Sequence, residues 1–346
     1  MARHNLRLDR ARVELRLRQV WSIARGSSVS RTNVLTRLSC AGITGLGEAA
    51  PNMRYAEDAA SVLRSLDLIA PLLGDDATQH DAILRRIETA LPGCPAARAA
   101  IDIALHDWEA KKDGVPLWRA FGADPARAPA TSMSIGIDTI AIMQEKARQA
   151  AGFRVLKVKV DRAHAREIVE GIRRVTDKPL YVDANEAWSD PRMAAEAVRW
   201  MEGMGVALVE QPLPASDRDG AKYVRDHVDM PMIADEAALT AEDIDPLAQA
   251  YDGVNVKVQK AGGLCAALRM IEKARSCGMT IMLGCMIETS LGITAAAHLS
   301  PLVDHADLDG NLLIADDPFR GALVRDGRLV LPEGPGVGIE GDFWGA

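Results

Sequence analysis

The chain has 346 residues, 48% of them hydrophobic, enough to bury a sizeable core in one large domain or two. A net charge of −7 and a pI of about 5.6 argue against a nucleic-acid surface. The five cysteines (Cys40, Cys94, Cys265, Cys277 and Cys285) are scattered and form no CxxC pair, so the spacing suggests neither a zinc site nor a disulfide framework.

The N-terminal MARHNLRLDR lacks an apolar signal core, which predicts a cytoplasmic protein. From there to about residue 125, VELRLRQV, NVLTRLSCAG and TGLGEAAP read as a strand meander punctuated by glycine. Two helices follow, YAEDAASVLRSLDLIAPLL and CPAARAAIDIALHDWEAKKDG, the second with Pro95 near its start and Gly114 just past its end. The rhythm then changes to strand, loop, helix. TSMSIGI, RVLKVKV, LYVDAN, ALVEQP, MIADE, VNVKV, TIMLGC and HADLDG are apolar strand candidates, with amphipathic helices such as HAREIVEGIRRV, PRMAAEAVRWMEGMG and CAALRMIEKARSCGM between them. The apolar stretch from Gly278 to Leu299 is interrupted by Glu288 and His298 and reads as barrel core, not a membrane span. The Gly- and Pro-rich segment from about 318 is expected to wrap back onto the first domain.

Charged residues close these apolar runs at an even period. Lys159, Asp183, Glu210, Asp235 and Lys257 are separated by 24, 27, 25 and 22 residues, about one strand–helix unit each. In a (β/α) barrel the C-terminal strand ends ring one pocket, so three carboxylates would converge between two lysines. Three carboxylates repel one another without a counterion, which points to a hard divalent cation such as Mg²⁺. Mg²⁺ is preferred to Mn²⁺ on availability and oxygen ligation. Single acids after strands commonly cap the next helix, and a KxK commonly marks a solvated strand edge; the shared period argues against both. Lys157 shares a strand face with Lys159, and nearby cations should lower a lysine pKa. Asn185 shares a face with Asp183, and Glu236 either supports the ligand set from behind or caps a helix.

A divalent cation beside two lysines suits removal of a proton α to a carboxylate, where an enediolate accumulates charge on oxygen. Lysines on opposite faces of the α-carbon would exchange roles as base and acid and invert the centre. Asp307 and Asp309, two apart at the end of the last strand, suit a substrate cation such as an ammonium, or a turn before Gly310.

Together, the KxK, DAN, EQP, DE and the lysine of NVKVQKAGG resemble the enolase superfamily in its muconate-lactonizing-enzyme-like subgroup, over essentially the whole chain. The resemblance implies a modified TIM barrel, (β/α)₇β, at residues 126–317. It also implies an α+β capping domain at residues 1–125, completed by about 318–346. It implies Mg²⁺ on Asp183, Glu210 and Asp235, acid/base roles for Lys159 and Lys257, and electrostatic help from Lys157. Lys260 is a rival for Lys257, which fits the strand end better. The paired Asp307 and Asp309, and GCMIETSLG with Cys285, Met286 and Glu288, resemble the dipeptide epimerase branch. There the acidic pair holds the substrate's ammonium while the C-terminal residue is epimerised. IARGSSVSRTN and APNMRYAED are similar to the specificity loops of Ala-Glu epimerases, with Arg25 or Arg54 placed to recognise a glutamate side chain. The expected function is thus a Mg²⁺-dependent epimerase of a small dipeptide, L-Ala-D/L-Glu, in cell-wall peptide metabolism. The alternatives are an epimerase for other dipeptides, o-succinylbenzoate synthase, N-acylamino acid racemase or muconate cycloisomerase, and a non-catalytic binding protein on the same barrel. Neither nucleic acid nor membrane is an expected partner. Such proteins often form homo-oligomers, but no interface is legible here.

Overall fold

A computed structural model describes residues 6–344. The N-terminal meander is an antiparallel sheet of β1 (Arg7–Ile23), β2 (Gly26–Cys40) and β3 (Ile43–Ala49), in that order. Helices α1 (Ala59–Ile69), α2 (His80–Ala90) and α3 (Pro95–Asp113) follow. Asp58 starts α1 with a capping box, its side chain accepting from Ser61 N at 2.6 Å. Gly114 ends α3 at φ 69°, a left-handed cap that costs glycine little. Small residues on α3 let its backbone meet β3, so a Cβ added at Gly47 would lie 1.9 Å from the Ala100 carbonyl oxygen. Val34, Leu38, Leu66, Ile83, Ile101 and Trp108 fill the core between this sheet and the helices.

All eight expected barrel strands form. They are β4 (Ser132–Ile135), β5 (Val155–Lys159), β6 (Leu180–Asp183), β7 (Val206–Glu210), β8 (Met232–Ala234), β9 (Gly253–Lys257), β10 (Thr280–Gly284) and β11 (His305–Asp307). They pair in parallel in sequence order, and a parallel bridge from Thr131 to Ala306 closes the ring. The stretch from Gly278 to Leu299 is β10 followed by a buried helix, Ser290–Ala297. Among the described residues no helix is long and apolar enough to cross a membrane.

Side-chain alternation divides the barrel interior into two levels. Val155, Tyr181, Leu208, Ile233 and Met282 form a closed apolar cluster at the floor. Two residues further along their strands stand Lys157, Asp183, Glu210, Asp235 and Gly284, and beyond Lys157 stands Lys159. Strand period two therefore delivers every charge to the C-terminal mouth and none to the floor.

The C-terminal segment does more than wrap. A hairpin of β12 (Leu323–Arg325) and β13 (Arg328–Val330) sits against the barrel's N-terminal end, where Gly327 O accepts from Thr131 N and Asp326 O from Arg154 Nε. The chain then returns to α3, Val337 N donating to Asp107 Oδ1 at 2.8 Å. Neither half of that path carries enough apolar alternation to announce itself.

Candidate active site

Carboxylate oxygens of Asp183, Glu210 and Asp235 lie within 4.8 Å of one another, and all three residues are buried. Each ends its strand, so the backbone ladder fixes their separation. The turns beyond are strained: Asn185, Glu186 and Gln211 have φ of 45°, 67° and 40°. Gln211 supports Asp235, its Oε1 accepting from Asp235 N at 2.9 Å while its Nε2 donates to the Tyr251 hydroxyl. Asp183 Oδ1 accepts from Asn185 N, and Asn255 Nδ2 donates to Glu210 Oε1, each at 2.9 Å.

The lysines neutralise this cluster. Lys157, 1% exposed, stands 3.1 Å from Asp183, 2.7 Å from Glu210 and 2.7 Å from Asp307. Lys159 hydrogen-bonds Asp183, and Lys257 lies 2.7 Å from Asp235. β5 and β9 are four strands apart in the ring of eight, so Lys159 and Lys257 face each other across the mouth. Lys260 Nζ instead donates to Asp235 O, Asp235 Oδ1 and Asn255 O, and only Lys257 of the two lines the cavity.

Electrostatics separate the three acids. Burial raises Asp183 and Asp235, but their lysines outweigh it and hold both carboxyls below the usual range. Glu210 is pushed up to about 8, by burial and then by the charges of Asp183 and Asp235. Its Oε2 has Lys157 nearby but no aligned hydrogen bond, leaving a buried lone pair uncommitted. A divalent cation fits this donor set: three carboxylates with oxygens within 4.8 Å of one another, one oxygen lacking a hydrogen bond. Without a cation among the carboxylates, the lysine pKa values shift upward at Lys157 and Lys257. Burial lowers each, but Asp307 and Glu210 around Lys157, and Asp235 beside Lys257, outweigh it and hold both above their ordinary value.

Asp307 accepts from Ser132 Oγ and Lys157 Nζ, each at 2.7 Å, so both its oxygens are engaged. Asp309 Oδ2 accepts from Ser134 N at 2.6 Å, and burial with the Asp307 charge pushes Asp309 up to about 6. Ser132 and Ser134 escaped the sequence reading. Their two-residue spacing on TSMSIGI, identical to that of the KxK, was the available signal.

An inner cavity of about 110 Å³ is lined by Lys159, Lys257, Cys285, Met286, Asp307, Asp309 and by Trp21, Arg25, Arg31 and Tyr55 from the N-terminal domain. It adjoins an outer cleft of about 820 Å³ that shares Arg25, Arg31 and Asn52 and also touches Arg54. Arg25 lies 2.7 Å from Glu236 and 3.1 Å from Glu186, and donates to Asn185 O at 3.0 Å. Glu236 in turn accepts from Asn185 Nδ2 at 3.2 Å. Arg54 grips Glu186 with two nitrogens, at 3.0 and 2.8 Å. Arg31 is different. It is half-buried, lines both spaces, and its hydrogen bond goes to the neighbouring Ser30 carbonyl at 3.4 Å. Burial alone lowers its pKa, with no carboxylate set against it. Nothing in the loop sequence separates Arg31 from Arg25 or Arg54; only the ion-pair inventory does.

Comparison with known proteins agrees with this geometry. Residues 8–122 match the mandelate racemase / muconate lactonizing enzyme N-terminal domain, and residues 142–344 match the enolase C-terminal domain-like family. The chain is 38% identical to an L-Ala-D/L-Glu epimerase of Bacteroides thetaiotaomicron, over 94% of this chain and 85% of that one. A substrate-liganded L-Ala-D/L-Glu epimerase from Bacillus subtilis superposes with a TM-score of 0.93 at 32% identity, covering 98% and 99% of the two chains. A dipeptide epimerase from Enterococcus faecalis, complexed with Mg and L-Leu-L-Tyr, does so with 0.91 at 31%, covering 96% and 98%. The chain belongs to the mandelate racemase / muconate lactonizing enzyme family of the enolase superfamily.

Proposed function

We propose that this protein is a Mg²⁺-dependent dipeptide epimerase that inverts the α-carbon of the C-terminal residue, with L-Ala-D/L-Glu as its substrate. The observation that carries the reading is the mouth geometry: three convergent carboxylates between lysines on opposite strands, with an acidic pair alongside. Residues 1–125 act as the cap, joined at α3 by the returning C-terminal segment, and residues 126–317 as the catalytic barrel, with the β12–β13 hairpin at its far end.

Asp183, Glu210 and Asp235 would hold Mg²⁺, which when bound supplies positive charge to the substrate carboxylate as the α-proton leaves. Lys159 and Lys257 stand on opposite sides of the space for the α-carbon. One takes the proton and the other returns one to the far face, so the stereocentre inverts. Lys257 must first be freed from Asp235, since that carboxylate keeps it charged. Were Asp235 to hold the cation, its charge would be offset there and its hold on Lys257 would be weaker. Lys157 remains an ammonium among Asp183, Glu210 and Asp307 and offsets negative charge without moving a proton. Asp309 offers the substrate ammonium its carboxylate, while Asp307 is already satisfied by Ser132 and Lys157. Cys285 and Met286 form cavity wall.

The glutamate side chain is assigned to Arg31. Burying a guanidinium without a carboxylate is unfavourable, and a substrate carboxylate would supply the missing partner. Arg25 and Arg54 hold Glu186 and Glu236, which ties the capping loops to the barrel rim and excludes water. We place the enzyme in the cytoplasm, in the turnover of cell-wall peptides.

The deciding experiment is proton NMR of L-Ala-L-Glu in D₂O with enzyme and Mg²⁺. Loss of the glutamate α-proton signal with growth of the L,D diastereomer is the expected result. An unchanged spectrum at high enzyme concentration, with L-Ala-L-Leu turning over instead, would overturn the substrate assignment.

A further inference from the structure

A second convergence of ligand-type side chains lies away from the barrel mouth, on the seam between the N-terminal helices and the barrel. His80 comes from the start of α2, Asp102 and His106 from one face of α3, and Cys265 from α4 (Leu264–Ser276), the helix that follows β9. One ligand atom from each of the four falls within 4.8 Å of the others.

The hydrogen bonds orient these groups as a metal site would require. His80 Nδ1 pairs with Glu109 Oε2 at 3.0 Å, which turns Nε2 away from that carboxylate. That Nε2 is buried and has no hydrogen-bond partner among the described residues, in a residue only 6% exposed. His106 Nδ1 pairs with the Asp102 carbonyl oxygen at 2.9 Å and lies 3.1 Å from Asp102 Oδ1, and His106 Nε2 meets Cys265 Sγ at 3.7 Å. Each imidazole thus has its Nδ1 committed to an oxygen, the arrangement that fixes the tautomer of a metal-binding histidine. Asp102 accepts from Leu264 N at 2.6 Å and Cys265 N at 3.3 Å, bringing α4 onto α3. Gly263, at φ +130°, permits that approach; a Cβ there would lie 2.4 Å from the Asp102 side chain.

We propose that His80, His106, Cys265 and Asp102 form a binding site for a soft or borderline divalent cation, Zn²⁺ in the first instance, that pins the capping helices to the barrel. Two imidazoles and a sulfur select Zn²⁺ over Mg²⁺, whereas the oxygen-only set at the barrel mouth selects the reverse. Charge also balances, because a thiolate and a carboxylate together neutralise a divalent ion. Zn²⁺ binding would displace the Cys265 thiol proton to solvent, because the thiolate is the ligating form. Linear sequence hid the site because its ligands are spread over three helices without a CxxC or HxxxH spacing.

The site is independent of the proposed reaction, and so is its test. Full-length protein, stripped with chelator, is dialysed against Zn²⁺ or Co²⁺ with Mg²⁺ in large excess. The expected results are one retained equivalent of zinc per chain by elemental analysis, a thiolate-to-Co²⁺ charge-transfer band in the near ultraviolet, and a higher Tm with zinc than without. Cys265→Ser should abolish the band, reduce zinc affinity by at least about tenfold, and leave epimerisation intact. His80→Gln should weaken binding similarly while keeping the thiolate. Substoichiometric zinc in the wild type, a Co²⁺ spectrum without charge transfer, or equal retention by Cys265→Ser would each overturn the proposal. The wild-type cobalt spectrum decides the matter even if a variant fails to fold.

Discussion

The barrel rim and the capping rim face one cavity, but different physics positions their side chains. On the barrel rim, Lys159, Asp183, Glu210, Asp235 and Lys257 are set by strand alternation and parallel register, so the backbone ladder itself spaces the charges. On the capping rim, Arg25, Arg31 and Arg54 are long side chains on a hairpin and a short turn; ion pairs hold Arg25 and Arg54, while Arg31 has only a backbone carbonyl. The proposed reaction puts its chemistry on the stiff rim and its selectivity on the adaptable one.

The largest effects should therefore come from the barrel rim. Lys159→Ala and Lys257→Ala are each expected to lower kcat for epimerisation by roughly 10³-fold or more, since each removes one of two proton carriers. In D₂O one of them should still exchange the α-proton of a single diastereomer. Wild-type-like turnover in both would dissolve the distinction between the rims. Glu210→Gln sharpens it further. Burial and its acidic neighbours push Glu210 up to about 8, and glutamine keeps its size and an oxygen to accept from Asn255 Nδ2. The variant should keep its chelator-treated Tm but lose the increase that Mg²⁺ confers, with Mg²⁺ affinity down on the order of 100-fold. An undiminished Mg²⁺ response would remove Glu210 from the ligand set.

This division also explains what was legible. The eight strands and their terminal charges could be read because hydrophobic runs, period two and a period near 25 residues all point the same way. The packing of β3 on α3 could be read less directly, through Gly47 and the alanines that face it. Three things could not be read. Lysine pKa values depend on how many carboxylates surround each ammonium, and spacing does not count them. Engagement of Asp307 by Ser132 and Lys157 depends on barrel closure, a contact between residues about 175 positions apart. The free guanidinium among three loop arginines depends on which of them Glu186 and Glu236 capture.

A smaller effect tests how firmly the barrel holds the N-terminal domain and the returning C-terminal segment. His298 accepts from Trp118 N at Nδ1 (3.1 Å) and donates from Nε2 to the Val337 carbonyl (3.0 Å), joining the barrel to the returning C-terminal segment. Protonation would set an N–H against an N–H, and burial lowers His298 to about 4 from 6.5. A depressed histidine binds fewer protons folded than unfolded, so this term is fully favourable above pH 6.5 and weakens as pH falls toward 4. Urea unfolding from pH 7 to pH 4 should show a loss of roughly 3 kcal/mol that His298→Gln lacks. Parallel pH curves for the two proteins would show that the contact is not the one holding the neutral imidazole.

The finest test separates the arginines of the capping rim from one another. If Arg31 receives the glutamate carboxylate, Arg31→Gln should lower kcat/KM for L-Ala-L-Glu by about 10- to 100-fold, the range for a charge-assisted pair. It should leave L-Ala-L-Leu little changed, because that substrate makes no use of the guanidinium. Arg25→Gln should behave differently. Arg25 holds Glu236 and the Asn185 carbonyl, next to Asp183 and Asp235, so its loss should slow both substrates by similar factors and weaken Mg²⁺ binding. A selective loss on glutamate in Arg25→Gln, with Arg31→Gln unaffected, would reverse the assignment. It would then mean that substrate displaces Glu186 and Glu236 from Arg25 on binding, so that the ion pairs between the rims open to admit the dipeptide before closing over it.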